Sequence, residues 1–160
     1  MVQVISFIGR HNSGKTTILT GVVNFLSAEG YRVAVIKHAH QELDIKAHKD
    51  SELFLQAGAV FVLASAPGLS IQYHRQENEL ELGQIMEQLP PDIDLVIVEG
   101  YKKEALPKIE VLRREIDTEV MLLPQTLALV SDFALQADIP VFNNKSIPAI
   151  SLFILQELGL

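Results

Sequence analysis

The nine residues Gly9-Arg10-His11-Asn12-Ser13-Gly14-Lys15-Thr16-Thr17 constrain this chain more tightly than any other stretch of it. Before them stands the apolar run Val2-Gln3-Val4-Ile5-Ser6-Phe7-Ile8, which reads as a buried strand. After them, Ile18, Leu19, Val22, Val23 and Leu26 recur at helical spacing over residues 16–28. Gly9, Gly14, Lys15 and Thr16 thus satisfy Gly-x4-Gly-Lys-Thr in the strand–loop–helix setting that gives the pattern its meaning. The glycines permit backbone turns closed to other residues, so successive N–H groups can converge on phosphate oxygens. Lys15 brings a compact positive charge to the β and γ phosphates, and the Thr16 hydroxyl suits Mg²⁺. Thr17 falls near the α phosphate, and the helix N-terminus adds its dipole. The segment predicts a P-loop holding a nucleoside triphosphate with magnesium.

The rest of the chain continues the alternation. Strands are expected at 32–37, 60–64, 69–74, 94–100, 108–113, 127–130 and 140–143, and helices at 50–57, 79–89 and 147–158. Gly30 and Gly58 stop helices, and Pro90-Pro91 stops the third. Asp94-Leu95-Val96-Ile97-Val98-Glu99-Gly100 lacks polar alternation, as expected of a central parallel strand covered on both faces, and should lie beside the first strand. No repeat or Pro/Gly/Ser-rich linker divides the 160 residues. The expectation is one nucleotide-binding domain over residues 1–160, of α/β class, with a mostly parallel sheet flanked by helices in the P-loop NTPase arrangement.

A P-loop needs an acidic residue at the end of a neighbouring strand to hold the metal's water shell, and Glu99 fills that role. Lys15 and Glu99 are the expected catalytic pair, and Thr16 and Glu99 the metal residues. Asp94, at the strand's other end, reads as a strand-opening residue. Lys37-His38-Ala39-His40 falls at the carboxyl edge of the sheet, where open α/β sheets bind ligands. It suits phosphate or partner contact, with a merely polar loop as the rival. A transition-metal cluster of His38, His40, Asp44 and His48 matches no helical ligand spacing. The cations Lys102, Lys103, Lys108, Arg113 and Arg114 form either an anion site led by Lys108 or a solvated face. For the base, Asn144-Lys145-Ser146-Ile147 lacks the carboxylate of the guanine signature Asn-Lys-x-Asp, and Asp132 is the candidate to supply it.

Composition narrows the partners. A net charge of -7 argues against a nucleic-acid groove, whose affinity comes from clustered Lys and Arg. The absence of cysteine removes disulfides and thiolate chemistry. Apolar residues make up 48% of the chain, so part of the surface is expected to be covered by a partner. The first residues lack the basic segment and cleavage site of a signal peptide, and the longest apolar stretch, 147–155, falls short of a membrane span. The expectation is a soluble, cytoplasmic protein.

Several segments taken together resemble one family. They are Gly9 to Thr17, Val35-Ile36-Lys37-His38-Ala39-His40, Lys49-Asp50-Ser51 with Ala57-Gly58-Ala59, Leu95-Val96-Ile97-Val98-Glu99-Gly100-Tyr101-Lys102, and Pro107-Lys108-Ile109-Glu110. Over nearly the whole chain they resemble the molybdopterin-guanine dinucleotide biosynthesis protein B (MobB) family. The resemblance implies GTP binding with Mg²⁺, slow GTP hydrolysis, a homodimer, molybdopterin as a candidate ligand, and association with the guanylyltransferase that joins GMP to molybdopterin. It describes a GTP-binding accessory protein assisting formation of molybdopterin guanine dinucleotide. A small-molecule P-loop kinase, with the basic cluster as lid and acceptor clamp, is the alternative. Slow chemistry has separate physical support. Tyr101 follows Gly100 where regulatory GTPases place a water-positioning glutamine, so intrinsic turnover should be on the order of 10⁻⁴ to 10⁻² s⁻¹.

Overall fold

The computed structural model describes residues 2–39 and 49–160. In chain order its elements are β1 (Gln3–Ile8), α1 (Lys15–Ala28), β2 (Val33–Lys37), α2 (Lys49–Gln56), β3 (Phe61–Ala66) and β4 (Leu69–His74). There follow α3 (Leu82–Met86), β5 (Leu95–Glu99), β6 (Lys108–Leu112), β7 (Thr126–Ser131), β8 (Val141–Asn143) and α4 (Ile147–Leu158). They fall into two compact units, one of Met1–His38 with Leu89–Leu160 and one of Ala39–Gln88.

The first unit is a six-stranded sheet in the order β2-β5-β1-β6-β7-β8, every neighbouring pair parallel. As the unbroken apolar run of β5 predicts, that strand is central and lies directly against β1, pairing Ile5 with Ile97 and Phe7 with Glu99. Because side chains alternate across a strand, Ile5, Phe7, Leu95, Ile97, Ile109, Val111, Ala128 and Val130 share one face. Ile18, Leu19, Val22 and Leu26 of α1, and Ile150, Ile154 and Leu158 of α4, close over it to form the core. Val22, Leu26, Ile97, Ile109 and Ile150 are fully buried there. Pro148 at the first turn of α4 and Gly159 beyond its end bound that helix.

The opposite face of β6 carries two buried polar residues, Lys108 and Glu110. Each is satisfied by loop backbone, Glu110 from the loop after the strand and Lys108 from the loop before it. The Glu110 carboxylate accepts hydrogen bonds from Met121 N at 2.9 Å and Leu122 N at 3.0 Å. Lys108 Nζ donates to the Glu104 carbonyl at 2.6 Å and the Leu106 carbonyl at 2.8 Å. In this way loops without regular structure are tied to the sheet.

The second unit departs from the alternation expected of it. Two strands were expected to carry on the α/β pattern, but β3 and β4 form a separate antiparallel hairpin, closed by Pro67-Gly68 and pairing Ala66 with Leu69. A two-residue connection cannot reach a parallel register, which requires a crossover of a dozen or more residues. The helix expected over 79–89 shortens to Leu82–Met86. Its start is set by a capping box in which Glu81 and Gln84 satisfy each other's backbone N–H, leaving residues 79 and 80 outside. Among the described residues, no helix is long and apolar enough to cross a membrane.

Candidate functional site

The loop between β1 and α1 runs at the carboxyl edge of the sheet, and its shape is imposed by close approach. Gly9 has φ +151°, and a Cβ built there would lie 2.4 Å from the Val111 carbonyl oxygen and 2.7 Å from Ser13 Oγ. Only glycine lets the loop pass this near the end of β6. Gly14, at φ +90°, precedes α1 without any side-chain cap, so the helix's first N–H groups are left for a ligand. Ser13 Oγ is buried and has no hydrogen-bond partner. An orphaned hydroxyl beside a glycine cradle fits an anion with several acceptor oxygens.

Lys15 Nζ donates to the Arg10 carbonyl at 2.7 Å and lies 3.5 Å from that of Gly9, so it spans the loop. Burial pushes its pKa below the ordinary lysine value. The charge of Glu99 opposes this, while Lys102 and Lys37 add to the depression. The Thr16 hydroxyl meets the Glu99 carboxylate, at 3.2 Å from Oε1 and 3.1 Å from Oε2. β1–β5 pairing produces this meeting, because Glu99 extends the core-facing row of Leu95 and Ile97 to the strand end under the first turn of α1. Two hard oxygen ligands so arranged fit a magnesium ion.

Around this pair the backbone is tightly tied. Gly100 N donates to the Phe7 carbonyl at 3.0 Å, and the buried Ser6 hydroxyl donates to the Gly100 carbonyl at 2.7 Å. Gly100, at φ +101°, leaves only 3.1 Å between a would-be Cβ and His38 Cβ. Tyr101 follows in the left-handed region, at φ +51°, with its ring centroid 4.7 Å from that of His38. Such backbone positions concentrate at ligand sites.

The other expected residues are distributed differently. The Arg10 backbone stays in the loop, where its carbonyl accepts Lys15 Nζ, while its side chain turns out to bind Asp117 at 2.8 Å. Asp117 is a site-side residue that no sequence motif marks. Asp132 stands just beyond β7, separated from β1 by β6, and its Oδ1 accepts the Arg114 backbone N–H at 2.8 Å. Asp94 accepts Arg32 N at the amino end of β5, 2.7 Å away. The basic cluster does not form an anion site led by Lys108. That ammonium is 2% exposed and committed to two carbonyls, and burial lowers its pKa. Arg113 pairs with Glu115, and Arg114 lies over the Phe133 ring. Of the suggested metal cluster, His40, Asp44 and His48 lie outside the described residues.

The comparisons with known proteins point one way. The family described as "Molybdopterin guanine dinucleotide synthesis protein B" matches residues 4–132. The chain belongs to the MobB family. It is 28% identical to the "Molybdopterin-guanine dinucleotide biosynthesis adapter protein" of Escherichia coli (strain K12), over 98% of this chain and 93% of that protein. It is 30% identical to the Haemophilus influenzae adapter protein of the same name, over 96% of this chain and 88% of that protein. A solved structure described as "Crystal Structure of molybdopterin-guanine biosynthesis protein B (mobB)" superposes with a TM-score of 0.78 at 31% identity, covering 97% of this chain and 99% of that one. The fold is therefore the P-loop NTPase arrangement that the opening motif predicts.

Proposed function

We propose that this chain binds GTP with Mg²⁺ at Gly9–Thr17 and acts as a slow GTPase accessory protein in forming molybdopterin guanine dinucleotide. The observation that carries the reading is the Thr16–Glu99 contact under the uncapped start of α1, beside the orphaned Ser13 hydroxyl. Loop N–H groups, the helix N-terminus and Lys15 bind the phosphates, while Thr16 and Glu99 hold the metal, which when bound neutralises phosphate charge. Arg10, His11, Asn12 and Thr17 complete the nucleotide-binding loop. Asp132 is the candidate acceptor for the base's N1 and N2 donors. Tyr101, in the position after Gly100, has no amide with which to orient a water, which supports low intrinsic turnover.

The adapter name borne by the relatives supports a guanylyltransferase partner of the same pathway and molybdopterin as a further ligand. The second unit leaves Leu53, Phe54, Val60, Phe61, Leu63 and Leu69 exposed, which supports a homodimer. Cytoplasmic location follows from the same role. The kinase alternative loses its acceptor clamp with the burial of Lys108. A Mg²⁺-dependent competition titration with GTP, ATP and molybdopterin tests the proposal. GTP should displace a labelled guanine nucleotide far better than ATP, and equal competition by ATP would overturn the guanine assignment.

A further inference from the structure

One charged side chain at the candidate site has no role in the reading above. Lys37 ends β2 and stands opposite Glu99 in the parallel β2–β5 register. Val33 pairs with Leu95 and Val35 with Ile97, so Lys37 and Glu99 project from the same sheet face, the one on which α1 packs. Lys37 Nζ lies 3.9 Å from Glu99 Oε2, whose carboxylate also meets Thr16. The two ends of this ion pair differ, since the Lys37 side chain is 59% exposed and that of Glu99 only 12%.

We infer that Lys37 is a phosphate-positioning residue: it stands at Glu99 when the site is empty of nucleotide and turns to the terminal phosphate of a bound triphosphate. The inference rests on the nucleotide reading above and deepens it to a preference for triphosphate over diphosphate. The contact with Glu99 is long and its lysine end is solvent-exposed, so leaving it costs Lys37 little. Lysine is a point charge on a flexible four-carbon stem, suited to exchanging one anion for another a few ångströms away. With Thr16 and Glu99 holding a divalent cation, the Lys37 ammonium would be repelled from the carboxylate and would be drawn instead to a terminal phosphate beside Lys15. A diphosphate lacks the group that Lys37 would reach.

Calorimetric titration with GDP and with a non-hydrolysable GTP analogue, each in Mg²⁺ and in EDTA, tests this on wild type, Lys37→Ala and Lys37→Arg. Lys37→Ala should weaken the triphosphate analogue in Mg²⁺ by roughly tenfold and leave GDP within about twofold, the scale of one partly screened charge-assisted hydrogen bond. Lys37→Arg should recover most of that loss. The Mg²⁺ concentration needed for half-maximal effect on GDP binding should fall in Lys37→Ala, because a competing cation has left Glu99. Thermal unfolding without nucleotide should match wild type, which separates this outcome from misfolding. Equal loss of both nucleotides, or loss of neither, overturns the role of Lys37 while leaving the nucleotide site standing. A wild-type protein that binds no guanine nucleotide overturns the site reading and this inference together.

Discussion

The β1–β5 pair and the β3–β4 hairpin are built from similarly apolar sequence and meet opposite environments. In Gln3–Ile8 and Leu95–Glu99 the central residues are completely buried, whereas in the hairpin Phe61, Leu63 and Leu69 are about half exposed or more. The difference lies in topology. Parallel crossovers through α1 bring helices back over the central sheet, while a two-residue turn returns β4 beside β3 with no element between them to cover a face. Apolar character therefore has two meanings in this chain. In the first unit it holds the strand ends that aim Thr16 and Glu99 at each other, and in the second it leaves large apolar side chains at the surface.

The contrast can be broken experimentally, most forcefully in the core. Ile97→Ala should cost roughly 2–5 kcal/mol in denaturant unfolding, because the fully buried site cannot collapse around the cavity, and the loss should not depend on protein concentration. A loss under about 1 kcal/mol would mean the central strands are no better packed than the hairpin. Lys15→Ala should weaken GTP binding by about a hundredfold, the upper range for a charge-assisted contact, and leave the folded structure intact by circular dichroism. Leu63→Ser should change monomer stability by less than about 0.5 kcal/mol while reducing self-association in sedimentation, the reverse of the Ile97→Ala pattern. If Leu63→Ser leaves the sedimentation profile of a dimer untouched, the hairpin is not its interface.

The smallest effect concerns Asp117. Its carboxyl is held below the ordinary value of 3.8, first by the Glu119 backbone N–H and then by the charge and hydrogen bond of Arg10, with partial burial opposing. A depressed folded-state pKa contributes stability that is present above the unfolded value and is lost as pH falls through the lower folded value. Asp117→Asn should therefore flatten the acid limb of the stability profile below about pH 4, with little change at neutral pH. An unchanged acid limb would show that the loop after β6 is not fastened to Arg10 in solution.

Much of the first unit was legible because its signals are local. Gly9, Gly14, Lys15 and Thr16 declare their geometry through spacing, and the unbroken run ending at Glu99 identifies a buried parallel strand without reference to any partner. Gly30 likewise marked the end of α1. Less was legible where one residue type serves two purposes. Lys108 carries the same charge as a phosphate-binding lysine, and only the carbonyls of Glu104 and Leu106 converging on it reveal a structural role. Asp117 has no motif, and its pairing with Arg10 spans 107 positions. The hairpin was misread as a continuation of the α/β pattern because strand propensity is the same for either partner, and the length of the Pro67-Gly68 connection was the overlooked signal.

By itself the sequence determined the glycine-bounded loop between β1 and α1, the α/β class and the carboxylate that faces that loop, since each depends on spacing within a few residues or on the period of an apolar run. Tertiary structure alone decided which charges face one another: Lys37 opposite Glu99, Arg10 with Asp117, and Lys108 withdrawn into backbone. The physical reason is range. Backbone conformation is chosen by near neighbours, whereas the partner of a charge is chosen by strand order and register, which bring distant positions to one sheet edge.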